Sequence, residues 1–254
     1  MNEANRIEGE HVDISYEAVQ SFFEQRSEKD SLQSKYSYVL FQDDNPQLAE
    51  QRDRQEKEKI SALLRLSEND GKGLRVLDIG CGIGRWGETL LDQGYYYVGM
   101  DASPGLIALA EKNLPADRPR KLLVGLFQEL TEKLAEAGET EPFDYIFVNG
   151  VFMYLNDADY QRALCDILKV CGKPCTIYIK ESAGVEERLT LREVYSNGMR
   201  QNYSAIYRAI KEYRDSQTEA WGARFALLSE GVLFDQSLAK HKETTDYYFI
   251  WHMD

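Results

Sequence analysis

From Leu74 onward the chain alternates short apolar runs with stretches of helical period. The runs are LRVLDIG (74–80), YYYVGMD (95–101), RKLLVG (120–125), FDYIFVN (143–149) and CTIYIK (175–180). Between them lie RWGETLLDQ, SPGLIALAEKNL, QELTEKLAEAG and DADYQRALCDILKVC, whose apolar residues recur at helix spacing. Apolar runs without polar alternation indicate strands covered on both faces. Five such strands alternating with helices predict an α/β fold, a parallel doubly wound sheet with right-handed crossovers. After Lys180 the rhythm breaks. Residues 183–222 read as a helical, tyrosine-rich insertion, and GVLFD (231–235) and TTDYYFIWHM (244–253) as two closing strands.

Residues 1–68 are polar and helical in pattern. Val19, Phe22 and Phe23 recur at helix spacing, as do Leu63, Leu64 and Leu66 at the end of PQLAEQRDRQEKEKISALLRL. Pro46, after Asp44 and Asn45, marks a helix start. SKYSYVLFQDDNP reads as a loop or short strand, and residues 68–73 as a turn. The predicted organisation is an N-terminal helical cap (1–68) on a sheet domain (69–254), with 183–222 as its lid.

Composition narrows the function. A chain of 254 residues is long enough for one large α/β domain, and 43% apolar with 11% aromatic positions excludes disorder. With 30 basic and 43 acidic residues the net charge is −13, which repels phosphate backbones and anionic lipid. No nucleic-acid or membrane partner is therefore expected. The first fifteen residues lack the apolar core of a signal peptide, so the expected location is cytoplasmic. Cys81, Cys165, Cys171 and Cys175 are too sparse for a disulfide scaffold, and His11, His241 and His252 stand alone, so no zinc set is expected.

The informative segment runs from Val76 to Gly87, a strand entering glycines and then a helix, where a ligand can approach backbone at a helix N-terminus. Asp101 ends the next strand, where an acid can hold a ribose diol. Gly82-x-Gly84-x-x-Gly87 formally matches a dinucleotide fingerprint. The strand ends by Gly80, however, which leaves two extra residues before that motif. Asp78 at the strand tip would also repel a pyrophosphate and favour a positively charged ligand.

Asp78, Gly80, Gly82 and Gly84 resemble the acid and G-x-G-x-G of the class I S-adenosylmethionine-dependent methyltransferases, and the resemblance extends over about residues 74–182. Residues 143–155 look like the family's fourth-strand segment. LeuLysValCysGlyLysProCys (168–175) stands, degenerate, where the family usually has a Leu-Lys-Pro-Gly-Gly turn. The resemblance implies a Rossmann-like seven-stranded sheet with helices on both faces and the last strand antiparallel. It also implies S-adenosyl-L-methionine as cofactor, held by Asp78, Gly80, Cys81, Gly82 and Gly84, by Asp101, Ala102 and Ser103, and by Asn149 and Gly150. Many members carry an acid against the adenine amine near Leu126; here Phe127 and Gln128 are left to flank the adenine by stacking and a side-chain amide.

Methyl transfer from a sulfonium mainly needs alignment and, for some acceptors, removal of a proton. Ligands in open sheets bind beyond the strands' carboxyl ends, which puts Asn149, Gly150, Val151, Met153, Tyr154, Lys180, Glu181 and Ser182 at the reaction. Tyr154 and Glu181 are the catalytic candidates, each weighed against a structural hydrogen bond. Metal-dependent members place acidic and amide ligands here, and Lys180 would compete with a cation, so no metal is expected. Arg85 and Trp86 open the first helix, Trp86 as core; Arg54 is a candidate for the cofactor's methionine carboxylate, although a solvated arginine in a charge-rich helix explains it better.

Tyr16, Tyr36 and Tyr38, with Tyr195, Tyr203, Tyr207 and Tyr213, fall where the family builds its substrate cover. Tyr16, Tyr38, Tyr203, Tyr207 and Arg208 are the substrate-binding candidates. Arg188, Arg192 and Arg208 suit an acceptor carboxylate or phosphate, or equally helix-surface ion pairs. Tyr207 and Lys211 meet a Tyr-x-x-x-Lys spacing by coincidence. The expected function is methyl transfer to an oxygen or nitrogen of a small molecule, with a homodimer as the candidate assembly. The alternatives are a protein or peptide methyltransferase, a nicotinamide-dependent oxidoreductase, and a non-catalytic cofactor-binding partner.

Overall fold

The computed structural model describes residues 5–29, 32–68, 70–197, 199–235 and 242–254. Asn69 of the predicted turn and His241 lie outside them, as do residues 1–4.

A three-residue strand, β1 (Arg6–Glu8), precedes three helices, α1 (Tyr16–Ser27), α2 (Ser37–Leu40) and α3 (Pro46–Leu64). Each long helix starts where a side chain takes an orphan amide. Ser15 accepts from Ala18 on α1, and Asn45 from Leu48 on α3, with Pro46 in the first turn. SKYSYVLFQDDNP contains the single turn α2, closed by Phe41 in the left-handed region (φ 54°).

The apolar runs form β2 (Arg75–Ile79), β3 (Tyr96–Asp101), β4 (Arg120–Val124), β5 (Phe143–Asn149) and β6 (Cys171–Gly184). They are separated by α4 (Arg85–Asp92), α5 (Pro104–Asn113), α6 (Leu130–Glu136) and α7 (Asp157–Ile167). These five strands pair in parallel. The chain then forms β7 (Leu189–Ser196), β8 (Gln201–Tyr207), α8 (Ile210–Trp221), β9 (Ala226–Val232) and β10 (Thr244–Met253). The large sheet has the order β4-β3-β2-β5-β6-β10-β9, with β10 antiparallel to both neighbours. This is the predicted seven-stranded arrangement. One face carries a core with Leu134, Leu164, Tyr213 and Trp221 from α6, α7 and α8; the other carries Ile60, Trp86, Leu90 and Ile107 from α3, α4 and α5.

The helical lid is corrected. Within 183–222, β7 and β8 form with β1 an antiparallel sheet of order β1-β7-β8, and α8 packs on the large sheet rather than over the ligand face. Tyr203, Ser204, Ala205 and Ile206 of β8 are all buried, so that strand is covered on both sides and shows no alternation that would distinguish it from a helix. The strand expected at 231–235 is also displaced. β9 is an edge strand with Leu228 62% exposed, whereas the apolar Leu233 and Phe234 turn into the core beside α3.

Candidate active site

The carboxyl ends of the large sheet's strands open into a cavity of about 820 Å³, roofed by α1, the Phe41 turn and the small sheet. Its near half is made largely by backbone. Asp78, one residue before the end of β2, is buried, accepts a hydrogen bond from the Tyr97 hydroxyl at 2.7 Å, and has its carboxyl pushed up to about 7 by burial. Gly80 follows with φ +73°, and a Cβ there would meet Val151 Cγ2 at 2.2 Å, so only glycine lets this turn pass the loop after β5.

Asp101 at the tip of β3 is held from two sides. The Gly82 amide donates to Oδ2 at 2.8 Å and the Ser103 amide to Oδ1 at 2.9 Å. Burial nevertheless pushes its carboxyl up to about 6. Neither Asp78 nor Asp101 forms an ion pair among the described residues, since every carboxylate–cation contact lies elsewhere. Cys81, Gly82, Ala102, Ser103, Phe127, Gln128, Asn149 and Gly150 all line this cavity. Gly84 does not; it caps α4 with φ +77° beneath Leu114. The Gln128 amide reaches Asp159 at 3.4 Å. Asn149 is the informative side chain, because both its amide nitrogen and its amide oxygen are buried and make no hydrogen bond among the described residues. Buried polar atoms are otherwise nearly always paired, so this amide fits a ligand.

The far half is made of side chains from distant segments. Tyr154 follows β5 in a short 3-10 turn, and its hydroxyl lies 2.9 Å from that of Tyr203 on β8; both line the cavity, and burial pushes both phenols well up. Phe23 of α1 packs edge-on against Tyr154 at 5.0 Å, and Phe41 against Tyr203 at 5.9 Å. Tyr207 lines the cavity too, its phenol pushed up to about 12 by burial. Tyr16 lines the rim, donating to Asp159 at 2.5 Å and accepting from the Asn156 amide at 3.0 Å.

Four predicted positions are placed elsewhere. Side chains alternate along β6, so Lys180 and Ser182 line the cavity while Glu181 points behind it. The buried Glu181 carboxylate accepts from the amides of Val151 and Phe152, each at 2.9 Å, and of Met153 at 3.2 Å; burial pushes its carboxyl up to about 7. It therefore holds the loop that carries Tyr154. Arg208 is fully buried and grips Asp157 at 2.7 Å, the Phe152 carbonyl at 2.8 Å and the Leu155 carbonyl at 2.7 Å. Arg188 pairs with the same Asp157 and with Glu212. Tyr38 turns away and donates to the Lys29 carbonyl at 2.5 Å, leaving its neighbours Val39, Leu40 and Phe41 at the cavity. Gly84 is the fourth.

Of the other candidates, Arg54 and Arg192 are exposed and line nothing, and Tyr213 is in the core. Arg85 is locked against Asp53 at 3.0 Å and Glu56 at 2.9 Å, and Trp86 donates to Glu56 at 3.2 Å. The Tyr-x-x-x-Lys pair is broken across two elements, with Tyr207 on β8 and Lys211 paired to Asp215 on α8. Sequence reasoning missed Asp246 of β10, which stands opposite Ser182 in the pairing register and contacts Lys180, Ser182 and Arg52. Nothing in its local sequence signals that meeting.

Residues 76–173 match the family model described as "Methyltransferase domain". Over those residues the chain is similar to the methyltransferases, in line with the resemblance of its glycine turn and Asp101. Among its curated relatives are two called "Ubiquinone biosynthesis O-methyltransferase". The one from Azorhizobium caulinodans is 40% identical over 86 residues, 34% of this chain and 32% of that relative. The one from Ruegeria pomeroyi is 40% identical over 111 residues, 42% of this chain and 41% of that relative. The matches thus span well under half the length of those methyltransferases. Two solved structures share the fold over nearly the whole chain. Magnesium protoporphyrin IX methyltransferase from Synechocystis PCC 6803 with bound SAM has a TM-score of 0.61 at 11% identity, covering 93% of this chain and 95% of that one. The N-methyltransferase NodS from Bradyrhizobium japonicum WM9 with S-adenosyl-L-homocysteine has a TM-score of 0.61 at 18% identity, covering 93% and 98%.

Proposed function

We propose that the protein transfers a methyl group from S-adenosylmethionine to an oxygen or nitrogen of a small molecule held under the strand cover. The observation that carries this reading is the set of unmatched polar groups in the near half of the cavity. Among the described residues the buried Asn149 amide has no hydrogen-bond partner, and the carboxylates of Asp78 and Asp101 form no ion pair. A diol suits Asp101, a positively charged ligand suits Asp78, and Asn149 has capacity for the amino-acid end. Phe127 and Gln128, beyond β4, supply an aromatic face and an amide for a purine. When bound, the cofactor supplies a methyl on a sulfonium leaving group. The chain itself holds donor and acceptor in line and excludes water.

The relatives' names include oxygen acceptors and one neighbour's title names nitrogen, which supports small molecules without choosing the atom. The roof formed by β1, β7 and β8 argues against a peptide, which needs an open groove. A pyrophosphate is disfavoured by Asp78, and Gly84 of the formal dinucleotide fingerprint lies under Leu114, away from the cavity. No helix among the described residues is long and apolar enough to cross a membrane, in keeping with a cytoplasmic enzyme. Incubation with methyl-labelled S-adenosylmethionine and a fractionated cell extract tests the acceptor class. Label should enter the small-molecule fraction; label confined to protein would contradict the reading.

A further inference from the structure

The far half of the cavity has two unlike walls. One is aromatic, with Phe23, Phe41, Tyr154 and Tyr203 meeting edge to face. The other, at the tips of β6 and β10, carries Lys180, Ser182, Thr244 and Asp246. Lys180 Nζ lies 2.9 Å from Asp246 Oδ1, and the Ser182 hydroxyl donates to the same oxygen at 3.1 Å. Arg52 of α3 reaches the other oxygen. One carboxylate thus serves two cations.

The other acids packed near Lys180 are engaged already. Glu56 meets Arg85, Trp86 and Tyr178. Glu181 accepts from three backbone amides on the far side of β6. Lys180 nevertheless lines the cavity, its side chain 11% exposed. An ammonium has three donors, and Asp246 is its one partner among the described residues. Two donors are left for a ligand. Arg188 and Arg208, which the sequence offered for an acidic acceptor, are consumed by Asp157.

We propose that Lys180 reads an anionic oxygen on the acceptor, so that the substrate class is an aromatic or apolar body carrying one carboxylate or similarly acidic group. The body lies against Phe23, Phe41, Tyr154 and Tyr203, and Asp246 fixes the ammonium in place. This rests on the methyl-transfer reading above. It also puts the acceptor over β6 and β10, one strand beyond Asn149 and away from the β2–β3–β4 tips assigned to the cofactor.

The test is calorimetric titration of the protein saturated with S-adenosylhomocysteine, using benzoate, 4-hydroxybenzoate and cinnamate beside benzamide, 4-hydroxybenzamide and cinnamamide. Each acid should bind roughly tenfold or more tightly than its amide, as loss of a charge-assisted contact implies. Lys180→Met should erase that difference while leaving S-adenosylhomocysteine affinity unchanged, and Lys180→Gln provides a second variant if the first fails to fold. Equal binding of acids and amides, or binding of neither, would overturn the proposal. So would a loss of S-adenosylhomocysteine affinity in folded Lys180→Met, which would assign the lysine to the cofactor. Failure of the wild-type protein to bind S-adenosylhomocysteine would instead remove the methyl-transfer reading, and this proposal with it.

Discussion

Asp101 ends β3 at the cavity and Asp157 opens α7 after the loop that carries Tyr154, and their surroundings are opposite. Asp101 is held only by backbone amides, and burial raises its carboxyl to about 6. Asp157 is only half-buried, and although burial opposes it, Arg188, Arg208 and His11 hold its carboxyl well below the usual range. Asp78 behaves like Asp101, raised to about 7. An acid matched to cations closes a structural account; one left with dipoles alone retains capacity for a ligand. The two halves of the molecule differ in the same way. The cofactor half offers unmatched acids on a backbone turn, whereas the cover is tied down by a cluster of matched charges.

Removing the latch should break that comparison most strongly. Arg208→Ala would leave Asp157 short of a partner and the Phe152 and Leu155 carbonyls without their donors in a buried place. A stability loss of about 3–5 kcal/mol is expected in denaturant unfolding. The folded fraction should keep its affinity for S-adenosylhomocysteine, because the Gly80–Gly82 turn is built by β2 and β3. An unchanged unfolding midpoint would show that the latch carries no load.

A smaller effect sharpens the other side. If the ribose diol donates to an ionised Asp101, affinity must fall as that carboxylate protonates. With a folded-state value of about 6, S-adenosylhomocysteine binding should weaken as pH drops below about 6 and level off above it. The full slope is about tenfold per pH unit, or about 1.4 kcal/mol. Asp101→Asn should bind more weakly at neutral pH and lose that share of the slope. A slope that survives the substitution would belong to Asp78.

The cofactor half was legible because its chemistry is local. Strand, acid, glycines and helix cap lie within Val76–Gly87, and Asp101 follows one β-α-β unit later. Asn149, read from a strand end, and Phe127 and Gln128, read from the family resemblance, line the same cavity. The cover was not legible, because β1 pairs with β7 and Phe23 meets Tyr154 across long stretches of chain. A strand buried on both faces, such as β8, also carries the same apolar pattern as a buried helix. Glu181 was misplaced by one residue of alternation: the apolar run placed it at the end of a strand, but the side that strand turns to the cavity is set by its neighbours. Arg208 was left between an acceptor anion and an ion pair because Asp157, fifty-one residues earlier, could not be matched to it by sequence.

The account turns on what occupies the turn between β2 and α4. Calorimetric titration of the wild-type protein with S-adenosylhomocysteine, with NAD and NADP as controls, tests it most directly. Saturable binding of S-adenosylhomocysteine with one site per chain, and none of either dinucleotide, is the predicted result. Binding of a dinucleotide without S-adenosylhomocysteine would contradict the account and return the Gly82–Gly87 spacing to the role of a nucleotide fingerprint.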